Sequence, residues 1–199
     1  IETVGALGEG EKVWALAKTP NSFTLRGGDT VNDYLLLATS FDSSMSTQAF
    51  FTSVRVVCYN TLQQSLNGSK QTLVKVSHST KFDANKIQDT LGVHKSALDA
   101  FGDFAQALSE RRVTRQETID VLFDALRDES EKSVDDWSTR KKNIASDIFT
   151  SVRTSPGAGL PSADGTAWGL LNGITHYTDH LAGARTPDNR LNSTWFGAN

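Results

Sequence analysis

The chain of 199 residues has one cysteine, Cys58, one methionine, Met45, and only four prolines. A single thiol cannot build an internal disulfide framework, and it excludes a zinc site made mainly of thiolates. It agrees with a reducing compartment, so a cytoplasmic location is expected. Nothing approaches the roughly 18 consecutive apolar residues that a membrane span requires. Mean hydropathy is −0.35, and no membrane role is expected. The succession of basic, apolar and small residues that marks a secretory signal is missing too, and the opening Ile1 reads as the edge of a fragment. There is no internal repeat and no low-complexity tract. A chain of this length buries one substantial core, which predicts a single domain.

A net charge of −3 argues against a protein that coats nucleic acid with its whole surface. The distribution says more than the sum. Residues 1–42 hold three basic and six acidic residues, and residues 83–150 hold ten and fourteen. Between them, Ser43 to Phe82 contains no acid, while it carries Arg55, Lys70, Lys75 and Lys81. Positive potential is therefore expected locally, on the part of the molecule that this interval builds.

The first third reads as antiparallel β-structure. In "KVWALAKT", Val13, Ala15 and Ala17 alternate with Trp14, Leu16 and Lys18, and "RGGDTV" supplies a turn through Gly27 and Gly28. "YLLLATSF" predicts a second strand and "TQAFFTSVRVVCYN" a long third, joined by the polar "DSSMS". In "YNTLQQSLNGS", Leu62 and Leu66 lie four apart and Asn67-Gly68 marks a helix stop, so a short helix is expected before a strand in "QTLVKVSHS". From Asp83 the period changes. Ile87, Leu91, His94, Leu98, Phe101, Ala105 and Leu108 predict a long amphipathic helix ending near Arg111-Arg112. Thr114 and Glu117 form a capping box for a second helix bearing Ile119, Leu122, Phe123 and Leu126. A third helix, Ser133 to Val152, places Val134, Trp137, Lys141, Ile144 and Ile148 on one side. "TSPGAGLPSADG" is a loop long enough to suggest a functional or mobile role, and Thr166 to His180 forms the last helix. The expected fold is thus α+β, an N-terminal antiparallel sheet with helices packed on it, residues 1–82 being β-rich with one helix and 83–199 helical.

Three constellations carry chemistry. On the last helix Ala167, Leu170, Leu171, Ile174, Thr178 and Leu181 form an apolar face, and Trp168, Asn172, His176 and Asp179 a separate polar stripe. His176 and His180 stand at i,i+4, the spacing of paired imidazole ligands, so a metal set of His176, Asp179 and His180 is one alternative. No H-E-x-x-H pattern supports it. The same stripe suits nucleic acid, because aromatic and imidazole faces stack unpaired bases at roughly 1–3 kcal/mol each while lysine and arginine neutralise phosphates. The aromatic candidates are Trp168, Tyr177 and His176. The basic candidates are Arg55, Lys70 and Lys75, helped by Lys141, Lys142 and Arg153. Arg55 interrupts the apolar "SVRVVCYN" and has two open readings, an anion contact on an open sheet face or a salt bridge to an acid of the helical half. Cys58 reads as a small buried hydrophobe and "RGGD" as a turn. No G-x-S-x-G elbow and no catalytic set is visible, and no cofactor is required.

"EKVWALAKTP" with "YLLLATSFDSS", "TSVRVVCYNTL", "GTAWGLLNGITHYTDH" and "NRLNSTWFG" together resemble the phage- and plasmid-associated family catalogued as domain of unknown function 932. Arg55, Asn60, Trp168, Asn172, Tyr177, Asp179, His180, Arg190 and Trp195 match its pattern, while Tyr59 stands where glutamine is common and His176 where glutamate is common. The resemblance implies a mobile-element setting in a bacterial host. The order of sheet and helices is also similar to ring-forming single-strand annealing proteins of the Rad-fifty-two type. The reading that follows is a homo-oligomer, with a ring as one form, that binds single-stranded DNA and promotes annealing through Arg55, Lys70, Lys75, Asn60, Lys141, Arg153, Trp168, Asn172, His176 and Tyr177. The alternatives are a metal-dependent hydrolase or nuclease, and a non-catalytic structural or host-interaction protein of a mobile element.

Overall fold

Alternation over the first 55 residues is realised as hairpins. The computed structural model of the chain describes residues 1–55, 60–63, 73–80 and 84–183, with side chains excepted at 60–63, 73, 84 and 86–96. β1 (Thr3–Leu7), β2 (Lys12–Leu25), β3 (Asp29–Ser40) and β4 (Thr47–Arg55) lie side by side in chain order within one antiparallel sheet. Two short strands, β5 (Asn60–Gln63) and β6 (Leu73–Val76), both pair with β4, the first along Thr52–Arg55 and the second along Thr47–Phe50. The β2–β3 turn needs Gly27 and Gly28, whose φ angles of 83° and 78° lie where other residues are strained and where the turn twist matches the strands. β2 is interrupted by a register shift between Lys18 and Ser22, around Pro20, which has no N–H for the ladder.

Two sequence expectations change here. Asn60–Gln63 is a strand, not the start of a helix: the edge of β4 offers hydrogen bonds that outweigh a leucine spacing of weak helical character. β1 is an added strand. Its Gly5 sits opposite Trp14, and a Cβ there would meet the indole at 2.6 Å, so the missing side chain admits the ring.

The helices are α1 (Ala84–Glu110), α2 (Arg115–Leu126), α3 (Thr139–Thr154) and α4 (Ala167–His176), which continues as a π-helical turn over Tyr177–Leu181. The Thr114–Glu117 capping box forms, with each side chain bonded to the other's backbone N–H. The expected third helix from Ser133 is divided. Ser133 caps a 3-10 turn, Val134–Asp136, and Ser138 caps α3, so two N-caps start two elements.

Two apolar clusters organise the layers. Leu25 and Val31 from the sheet meet Phe101 and Ala105 of α1, Ala163, and Trp168 of α4. Phe23 abuts Phe101 edge-on, ring centroids 5.5 Å apart. The second cluster holds Leu122 of α2, Trp137, and Ala145 and Ile148 of α3, so α2 and α3 are joined through side chains. Each fully buried side chain of this size contributes about 1.5–3 kcal/mol. Between α3 and α4 the Pro- and Gly-rich stretch is not an open loop: Ser155, Ala158, Ser162 and Ala163 are buried, and its Gly165 carbonyl accepts from the Val113 N–H.

Candidate functional site

Arg55 decides the sheet face first proposed for DNA. It is completely buried, as is Asp29, whose carboxylate takes the Arg55 Nε at 2.7 Å and Nη2 at 2.8 Å. The same Asp29 Oδ2 accepts from Ser162 Oγ at 2.7 Å and from the Trp168 indole N–H at 2.9 Å. Arg55 also donates to the Gly157 carbonyl at 3.1 Å. The guanidinium is thus bidentate on one carboxylate that takes two further donors on Oδ2, the kind of added hydrogen bonding a buried ion pair requires. This corrects the phosphate role for Arg55 and the stacking role for Trp168, because neither presents a surface. The salt-bridge reading of Arg55 is right in kind, but the acid comes from β3, not from the helical half. Asp29 and Ser162 carry no motif that marks them in the sequence. The signal was an acid directly after a glycine turn, on the strand face that also carries Val31.

Of the α4 stripe, Trp168 and Asn172 are buried, while His176 and Asp179 are half-buried. Asn172 is 1% exposed and donates to the Trp168 carbonyl at 2.8 Å, so it has no nucleic-acid contact to offer. Tyr177 is half-buried against the second apolar cluster. Lys141 is held by Asp128 at 2.7 Å and Glu131 at 2.6 Å, and these hydrogen bonds raise its pKa. Its charge is neutralised where it stands, which removes it from the phosphate set. His176 and His180 do come together, ring centroids 4.7 Å apart. Burial, and then the neighbouring His180, lowers the pKa of His176. Among the described residues no group of three or more His, Cys, Asp or Glu is gathered as metal ligands would be. Lys70, Cys58, Arg190 and Trp195 lie outside the described residues, as does the side chain of Asn60.

Lys75 and Arg153 remain exposed, in different places. Lys75, on β6, lies in a corner of about 580 Å³ where the β3–β4 connection meets the end of β6. Ser43, Ser46, Ser77, His78 and Ser79 complete its lining, which includes no carboxylate. His78 Nε2 donates to the Met45 carbonyl at 2.9 Å in the tautomer that satisfies that contact, and Ser77 and Ser79 hydroxyls stand 2.9 Å apart. The acid nearest in sequence, Asp42, is turned onto its own loop. It accepts from the Ser44 N–H at 3.0 Å, and its pKa is lowered by hydrogen bonds from Ser44, the side-chain contact first.

Arg153 belongs to a second concavity, a groove of about 750 Å³ between α2 and α3. Ile119, Leu122, Phe149 and Val152 supply its apolar floor, and Arg115, Lys142 and Arg153 its cations, against one carboxylate, Asp135. Among the described residues none of the three cations forms a salt bridge within 4 Å. Lys142 does donate to the Asp135 carbonyl at 3.3 Å, and its charge contributes to lowering Asp136, whose largest causes are the Lys132 and Ser133 backbone N–H groups.

The family model described as Domain of unknown function (DUF932) matches residues 1–195. No curated protein and no solved structure matches the chain. No helix among the described residues is long and apolar enough to cross a membrane.

Proposed function

Since the chain belongs to the DUF932 family, whose description carries no activity, function is to be read from the surface, and we propose that it binds single-stranded DNA as a homo-oligomer of a phage or other mobile element and promotes annealing. The observation that supports this is the Lys75 corner. It is the exposed, described part of the acid-free interval, and it offers one ammonium, one imidazole and four hydroxyls with no carboxylate among them. Hydroxyl and ammonium donors suit phosphate oxygens, and contacts of that kind carry no base preference. A molecule of net charge −3 still attracts phosphate at such a patch, because the local potential governs the encounter. The analogy with Rad-fifty-two-type rings belongs to the same proposal and stands on the order of sheet and helices alone.

The test is a salt titration of oligonucleotide affinity. Lys75→Ala is expected to weaken single-strand binding at low salt and to reduce the slope of log K against log salt by about 0.7, one phosphate on a single strand. An unchanged affinity with an unchanged slope rejects the assignment.

A further inference from the structure

The oligomer proposed above has no interface assigned to it, yet two exposed surfaces of this chain are complementary. One is the groove between α2 and α3, with its apolar floor and three cations against Asp135. The other is the outer face of α1. Helical spacing aligns Ala100, Asp103, Phe104 and Ala107 on it, all exposed, with Asp99 and Glu110 beside them. Phe104 is 43% exposed, a large ring left on the surface of a helix whose opposite face is already satisfied by Leu98, Phe101 and Ala105. The stretch from Ala97 to Glu110 contains three acids and no base, and Asp99 and Asp103 make no ion pair among the described residues.

We propose that the chain assembles head to tail, the outer face of α1 in one copy seated in the α2–α3 groove of the next. Small alanines let a helix approach closely, Phe104 supplies the apolar knob for the floor of Ile119, Leu122 and Phe149, and the carboxylates of Asp99, Asp103 and Glu110 face Arg115, Lys142 and Arg153. Because the two surfaces differ, the contact is heterologous: every open assembly keeps one free groove at one end and one free face at the other, so it grows until it closes as a ring or continues as a filament. A helix face of about three turns is a small interface, so the association is expected to be weak and salt-sensitive. Acid on one side and base on the other is what separates this occupant from single-stranded DNA, which the groove's cations alone would also attract.

This inference rests on the oligomer reading and on no DNA contact, and the experiment separates the two. Native mass is measured by sedimentation over a concentration series at low and high salt, for the wild type, for Phe104→Arg, and for the double variant Arg115→Glu/Arg153→Glu. All three positions are exposed, and circular dichroism checks that each variant is folded. The wild-type mass is expected to rise with concentration and fall with salt, and each variant to associate at least about 10-fold more weakly, since like charges then oppose each other. The decisive sample mixes the two variants. Each retains one intact surface, so they should pair and stop at a heterodimer. Variants that assemble like the wild type would overturn this contact and leave oligomerisation standing. A wild type that stays monomeric throughout would remove both. Loss of oligonucleotide binding in the double variant, with assembly unchanged, would make the groove a nucleic-acid site and overturn the contact.

Discussion

Two regions of this molecule use the same residue types to opposite ends. Around Asp29, an arginine and a tryptophan are fully enclosed, and every donor aimed at the carboxylate is supplied by the chain itself. In the α2–α3 groove, Trp137 is again buried, stacked on Phe123 at 5.8 Å between centroids, but Arg115 and Arg153 are exposed and, among the described residues, in no salt bridge, with Asp135 the one carboxylate of the lining. A guanidinium whose counter-charge is built in serves the fold, because its field is cancelled and its donors are used. One without a counter-charge is left to recruit something from outside. Arg55 and Trp168, which meet on the one carboxylate of Asp29, fasten the sheet to α4.

Breaking the enclosed region should have the largest effect. Arg55→Ala leaves the Asp29 carboxylate buried and unpaired, and a loss of about 3–5 kcal/mol in urea unfolding is expected. A loss below about 1 kcal/mol would mean that the pair contributes little to the native state. Trp168→Phe keeps most of the apolar contact with Phe101 and removes one hydrogen bond to a charged acceptor, for an expected cost of about 1.5–3 kcal/mol by the same measurement. His176 tests the margin between the regions through pH. Its native pKa lies below its ordinary value of 6.5, so near that pH the unfolded chain binds more protons than the folded one. Stability from this residue is complete above 6.5 and declines as pH falls toward the lower native value. Melting temperatures at about pH 7.5 and about pH 5.5 should therefore differ less in His176→Gln than in the wild type. The smallest effect belongs to the open region: Arg153→Ala should change unfolding free energy by no more than about 0.5 kcal/mol, because an exposed side chain without a partner adds little to folding. A large loss there would erase the distinction between the two arginines.

Much of the architecture was legible from local pattern. Strands β2, β3 and β6, the long α1, the Thr114–Glu117 cap and the Gly27–Gly28 turn each depend on neighbours a few residues apart. Expectation and structure differ where a neighbour in space overruled a neighbour in sequence: Asn60–Gln63 pairs with the edge of β4, the rest of "NTLQQSL" lying outside the described residues, and Ser162 of the loop after α3 is buried on Asp29.

By itself, then, the order of residues settled what could become helix, strand or turn, and that charge is unevenly divided along the chain. Whether a given polar face looks in or out was left to the fold. Periodicity reports that residues share a face but not what covers it, and Arg55 became interior because its acid lies 26 positions away and Ser162, on that same carboxylate, 133 from the acid. Burial of a charge is a property of its completed surroundings, which exist only after sheet, loop and α4 have met.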